Sequence, residues 1–258
     1  MEFFGIDERA VEILILVFAR VSMIIAVIPV FGSANVPTTA KVGLSAFISI
    51  IVYSFTESIG IPEGLSITGL FTLLIKEGII GLLFGFISGM LFFAIQFAGH
   101  FISFQMGFAM VQIIDPQSQE HVPIIGQFYF IMAILLFLLI NGHHLLLEAL
   151  VESFRIVPIG TGILSGELTE LLTKLTGNVF VLALKIASPI MVTLFLTDVM
   201  MGIIARTVPQ MNVFFVSLPL KIGMGMILVV STLSVFPLLI EKLVREVSQN
   251  LHIVLRML

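Results

Sequence analysis

LFTLLIKEGIIGLLFGFISGMLFFAIQFAGHFISF, residues 70–104, is an apolar run much longer than the roughly 20 residues that cross a bilayer as a helix, and its only charges are Lys76 and Glu77. Neighbouring residues on a helix point about 100° apart, so this pair cannot neutralise itself and at least one member needs a partner from another segment. In the same run Gly81, Gly85 and Gly89 recur every fourth residue. They form a smooth stripe, a helix-packing seam that lets another backbone approach closely. A long helix with a bare stripe and buried charge is built to be enclosed.

The rest of the chain has the same character. Of its 258 residues 59% are hydrophobic and 11% charged, with a mean hydropathy of +1.19, against about 45–50% and about 25% for soluble domains. The surplus must face lipid or other apolar protein. No linker, charge block or low-complexity run divides it, so residues 1–258 read as a single all-α membrane domain. The net charge of −4 offers no basic face for nucleic acid. Cysteine is absent, which removes disulfides, thiolate metal sites and a cysteine nucleophile. The acidic start MEFFGIDERAVE is the reverse of a secretory leader's basic n-region.

Six apolar runs are candidate spans: Ile13 to Phe31, Val42 to Phe55, Leu70 to Phe104, Val122 to Ile140, Val179 to Ile204 and Val213 to Ile240. The second is short, and Pro219 and Pro237 predict a kinked or broken sixth. Between Asn141 and Asn178 the polar residues predict a short amphipathic helix, a turn through VPIGTG, and a second short helix capped near Ser165. Trp is absent and Tyr occurs twice, so the usual interfacial aromatic belt is missing, as in a chain wrapped by partner subunits. Lys242, Arg245 and Arg256 are the one basic cluster near a span end, and favour a cytoplasmic C-terminus.

Catalytic signatures are not found: no phosphate loop, no nucleophile elbow, no zinc helix. His144, Glu148 and Glu152 share a helix face, but capping by Asn141 to His144 is the better account of that region. The chain reads as a non-enzyme without cofactor or metal. Lys185, Asp198 and Arg206 lie in or beside one apolar run, where charge usually faces a partner or a water-filled path; Asp198 and Arg206 fall about 80° apart on a helix. They leave open a secondary transporter using those three residues.

The polar break GFAMVQIIDPQSQEHVP, residues 107–123, poses a second choice. Phe104, Met106, Phe108 and Met110 are bulky and adaptable, Gly107 permits a bend, and Asp115-Pro116 ends the helix. Backbone at membrane depth must be buried in protein or line a water-filled cavity. The segment is either a surface loop between spans or a re-entrant plug.

FARVSMIIAVIPVFGSANVPTTAKVGLS, FQMGFAMVQIIDPQSQEHVPIIGQF, NGHHLLLEAL and MMGIIARTVPQMNVFFVSLPLKI, in that order, resemble the FliR family of the bacterial flagellar type III export gate, over essentially the whole chain. The resemblance implies an integral membrane protein of helical hairpins, with a FliP-like part at 1–177 fused to a FliQ-like hairpin at 178–258. It implies a structural and gating subunit of a helical assembly with FliP and FliQ, in the inner membrane at the flagellar basal body. Unfolded flagellar proteins would be the cargo, FlhB and FlhA further neighbours, and lipid part of the surroundings. It makes Phe104, Met106, Gly107, Phe108, Met110, Asp115 and Pro116 the pore plug, and Asp198, Arg206 and Gln210 subunit contacts. It also implies that not every hairpin lies across the bilayer.

Overall fold

A computed structural model describes residues 8–33, 35–55, 66–108, 124–163, 165–210 and 212–258, and every regular element among them is helical. In chain order these are α1 (Glu8–Val27), α2 (Pro29–Gly32), α3 (Thr38–Tyr53), α4 (Ile67–Met106), α5 (Ile124–Leu139), α6 (Gly142–Ile156), α7 (Gly166–Thr207), α8 (Val213–Thr232) and α9 (Phe236–Met257).

Among the described residues α1, α4, α7 and α8 are long and apolar enough to cross a bilayer, and α5 with α6 adds a fifth if the bent pair is one span. The protein is an all-α membrane protein. Of the six runs the second is short and the sixth is broken, as expected, while the fifth begins earlier than expected. α3 has only 16 residues, short of a full span. The predicted second short helix is not short: Ser165 caps it, its hydroxyl accepting from the Leu168 N–H at 3.2 Å, and it then runs unbroken through Gly177 into the fifth apolar run, giving 42 residues. A glycine costs a helix only about 1 kcal/mol, too little to stop one with strong formers on both sides. The sixth run does break, but at residues 233–235 ahead of Pro237, which sits in the first turn of α9, where its missing N–H costs nothing. Pro219 stays inside α8.

Two other breaks follow from local chemistry. Ile28, before Pro29, is extended (φ −63°, ψ 120°) and separates α1 from α2. Asn141 takes the left-handed conformation at φ 58°, which asparagine tolerates better than most residues, and there α5 gives way to α6.

The chain clusters into two compact units. One comprises residues 1–90, 141–173 and 244–258, and its centre is ionic. Arg20 on α1 and Glu77 on α4 are both fully buried. The Arg20 Nε–H donates to Glu77 Oε2 at 2.6 Å, and Nη2 lies 2.6 Å from the same oxygen without a hydrogen bond of its own. Nη1 donates to the carbonyls of Ser153 and Val157 at 3.1 and 2.9 Å, and the guanidinium stands 4.3 Å over the Phe154 ring. Glu77 Oε1 accepts from the Gly160 N–H at 2.9 Å, a direction made possible by the glycine's φ of 83°. Four segments are thus tied to one buried pair.

α1 approaches α4 closely enough for this because of the glycine stripe. A Cβ at Gly81 would meet the Arg20 carbonyl oxygen at 2.5 Å, and one at Gly85 the Val27 Cβ at 2.7 Å. Gly89 is buried as well. The seam, read from sequence as a general docking stripe, receives α1 of the same chain at its first two positions.

The second unit comprises residues 91–140 and 174–243. Phe92 packs edge-on to Phe130 and Phe137, Phe97 stacks on Phe180, and Gly99 lies directly against Gly126 of α5. Burial is unequal along the chain: 72% of the best apolar window of α4 is inside the protein against 11% for α8. Most of α8 therefore needs cover from lipid or from unlike subunits.

Candidate functional site: the end of α4 and its polar clamp

α4 stops at a defined point. The Phe108 N–H donates to the Ser103 carbonyl at 3.2 Å and the Gly107 N–H to that of Phe104 at 3.0 Å, with Gly107 at φ 91°. This six-to-one and five-to-two pair is a Schellman stop, which needs a left-handed residue where Gly107 stands. The bend expected from Gly107 is therefore a helix terminator that sets how the following segment leaves.

What holds this end is a polar clamp in an apolar setting, all of it in the second unit. Asp198 on α7 is flanked by Lys221 of α8, whose Nζ lies 2.9 Å from both carboxylate oxygens, and by the Gln105 side-chain amide, which donates to Oδ2 at 3.1 Å. Gln105 directly precedes Met106. The Met106 side chain is fully buried and fills the space that a side chain at Gly225 would need, at 2.7 Å from a Cβ built there. A Cβ at Gly107 would lie 2.8 Å from Leu218. So the last turn of α4 is fastened to the α7–α8 hairpin by one charge pair, one amide and one knob in a glycine hole.

Of the residues expected at the plug, Met106 faces inward as this anchor, Phe104 is 73% exposed, and Gly107 and Phe108 form the stop. Met110, Asp115 and Pro116 lie outside the described residues. Asp198, expected at a subunit contact, is engaged within the chain. Arg206, in the last turn of α7, and Gln210, in the turn before α8, are exposed. Lys185 stands about 20 Å along α7 from Asp198, and Asp198 is matched by Lys221 rather than by Lys185 or Arg206, so those three do not form one coupling path. Among the described residues no three histidine or carboxylate side chains gather as a metal-holding group.

Gln105, Lys221, Leu218 and Gly225 are the site residues that sequence reading missed. A signal for Lys221 existed: Asp198 and Lys221 are nearly equidistant in sequence from the middle of the connection between the two helices, so an antiparallel hairpin must bring them level. Replacing Asp198 with Leu strands the Lys221 ammonium and the Gln105 amide; we expect a loss of about 1–3 kcal/mol, read by thermal unfolding in detergent. The Asp198→Leu/Lys221→Leu double variant should lose less than Asp198→Leu alone.

The profile of the bacterial export proteins, family 1, matches residues 11–247. The flagellar biosynthetic protein FliR of Bacillus subtilis (strain 168) is 39% identical over 225 residues, covering 86% of each chain. FliR of Escherichia coli (strain K12) is 29% identical, with 88% of this chain and 87% of that one covered. FliR of Aquifex aeolicus (strain VF5) is 27% identical at 88% and 87% coverage.

Proposed function

The chain belongs to the bacterial export proteins, family 1, and on that premise we propose that it is a structural and gating subunit of the flagellar protein export apparatus. The observation that carries the reading is the family match across nearly the whole chain, in relatives named for flagellar biosynthesis and covered over almost their full length. The role is that of a channel component rather than an enzyme.

Its finer form is an assembly with FliP and FliQ in the bacterial inner membrane at the flagellar basal body, with FlhB and FlhA as neighbours and unfolded flagellar proteins as cargo. The exposed apolar surface of α8 and the missing interfacial aromatics support cover by unlike subunits. Residues 1–177 act as the FliP-like part and 178–258 as the FliQ-like hairpin, with Arg206 and Gln210 at the exposed tip as subunit contacts.

Within that assembly the segment after α4 is the pore seal. Phe104, Phe108 and Met110 supply deformable apolar bulk, which closes a passage by excluding water. Met106 and Gln105 fix its base to the hairpin. A cell lacking this chain should retain its flagellar filament protein inside. The measurement is immunoblotting of medium and cell fractions, and filament protein in the medium at the parental level would overturn the reading.

A further inference from the structure

α7 and α8 leave an open slot of about 480 Å³ on the second unit, within the roughly 300–1,000 Å³ of small-molecule sites. It lies where Pro189, inside the continuous α7, stands level with the break between α8 and α9. Pro189 cannot donate to the carbonyl of Lys185; the Ser188 hydroxyl donates there instead, at 2.9 Å. Opposite, the helix ends at Thr232 and resumes at Phe236. At the inner wall the Tyr129 and Thr232 hydroxyls are 2.9 Å apart, and the Tyr129 and Phe236 rings stand 5.1 Å apart.

The lining is apolar along Ile186, Ile190, Leu228 and Leu239, and among the described residues its charged members are Lys185 and Lys242, with no carboxylate. The Asp198–Lys221 and Thr197–Met224 contacts set an antiparallel register. In that register both lysines lie towards the end of the slot remote from the α7–α8 connection. Lys185 enters about 9 Å inside the apolar run that begins at Val179, a depth from which a lysine reaches the headgroup level. Lys242 also interacts within the chain, so recognition rests first on Lys185. An apolar slot that ends in positive charge at interfacial depth complements a molecule with the same polarity in reverse.

We propose that this slot binds one anionic phospholipid, its acyl chain against Pro189 and Leu228 and its phosphate between Lys185 and Lys242. Basic pockets between membrane helices on the cytoplasmic side bind anionic headgroups in this way, and the basic C-terminal cluster puts this end on that side. The site rests on the gate reading in one respect: the slot must be a part of the hairpin that the neighbouring subunits leave open to lipid.

The test uses the full chain, in the assembly in which it purifies, placed in nanodiscs of phosphatidylcholine with a minority of phosphatidylglycerol. Retained lipid is counted by native mass spectrometry. The expected result is one phosphatidylglycerol per chain, enriched about tenfold over phosphatidylcholine, an enrichment lost in Lys185→Met/Lys242→Met and kept in Lys185→Arg/Lys242→Arg. Ile190→Trp, which fills the slot, should abolish retention of either lipid. Equal retention of the two lipids by the parent, or an unchanged preference in the methionine variant, would overturn the proposal. So would a photo-crosslinker at Leu228 that captures a neighbouring polypeptide instead of lipid.

Discussion

An assembled gate in which residues 107–122 are replaced by a short glycine-serine linker should conduct small ions across the membrane while still assembling. The replaced segment begins at the Schellman stop on Gly107 and ends just before α5, so α4 and α5 keep their own packing. The clamp of Gln105, Asp198 and Lys221 is also untouched. What is removed is the Met- and Phe-flanked polar segment proposed as the seal. A constriction of such side chains blocks ions by keeping the pore dry, so its loss should raise ion flux from background to the level set by the pore walls. Ion-sensitive dye flux in vesicles carrying the purified complex measures it. A complex of full subunit content that stays tight would sink the plug.

The buried pair gives the largest expected effect on stability. Glu77→Ala leaves Arg20 charged, dry and without its carboxylate, and Arg20→Ala does the converse to Glu77 and also frees the carbonyls of Ser153 and Val157. Breaking a buried pair from one side costs about 3–5 kcal/mol. That is a large share of a typical stability of about 5–15 kcal/mol, so each single variant should accumulate poorly or unfold at a much lower temperature. Arg20→Met/Glu77→Leu should be less harmful than either single change, because apolar replacement of both partners removes the desolvation cost along with the attraction. A double variant as unstable as the sum of the two singles would show that the pair does not act as a unit.

Much of this arrangement was legible in residues 70–104. The adjacency of Lys76 and Glu77 forced the inference of an outside partner, and Arg20 is that partner. The four-residue glycine spacing announced a close backbone, though not that α1 of the same chain would fill it, since a stripe does not record what lies on it. Hydropathy found the apolar runs but misjudged their ends. It began the fifth run at Val179, where the helix that starts at Gly166 is already under way, whereas Pro237 did announce the break in the sixth run, which falls at residues 233–235. The role of Met106 was hidden for a different reason: its place is set by Gly225, 119 positions away, and no local pattern carries such a pairing. Asp198 looked like an outward contact because its counter-charge is on the other leg of a hairpin.

The central claim is that this chain is one subunit of a mixed export gate. The direct measurement is the native mass of the tagged chain after co-expression with the FliP and FliQ of its own cell and purification in mild detergent. The account predicts one large species containing all three proteins. A monomer or homo-oligomer of this chain, unchanged by the presence of the other two, would contradict it.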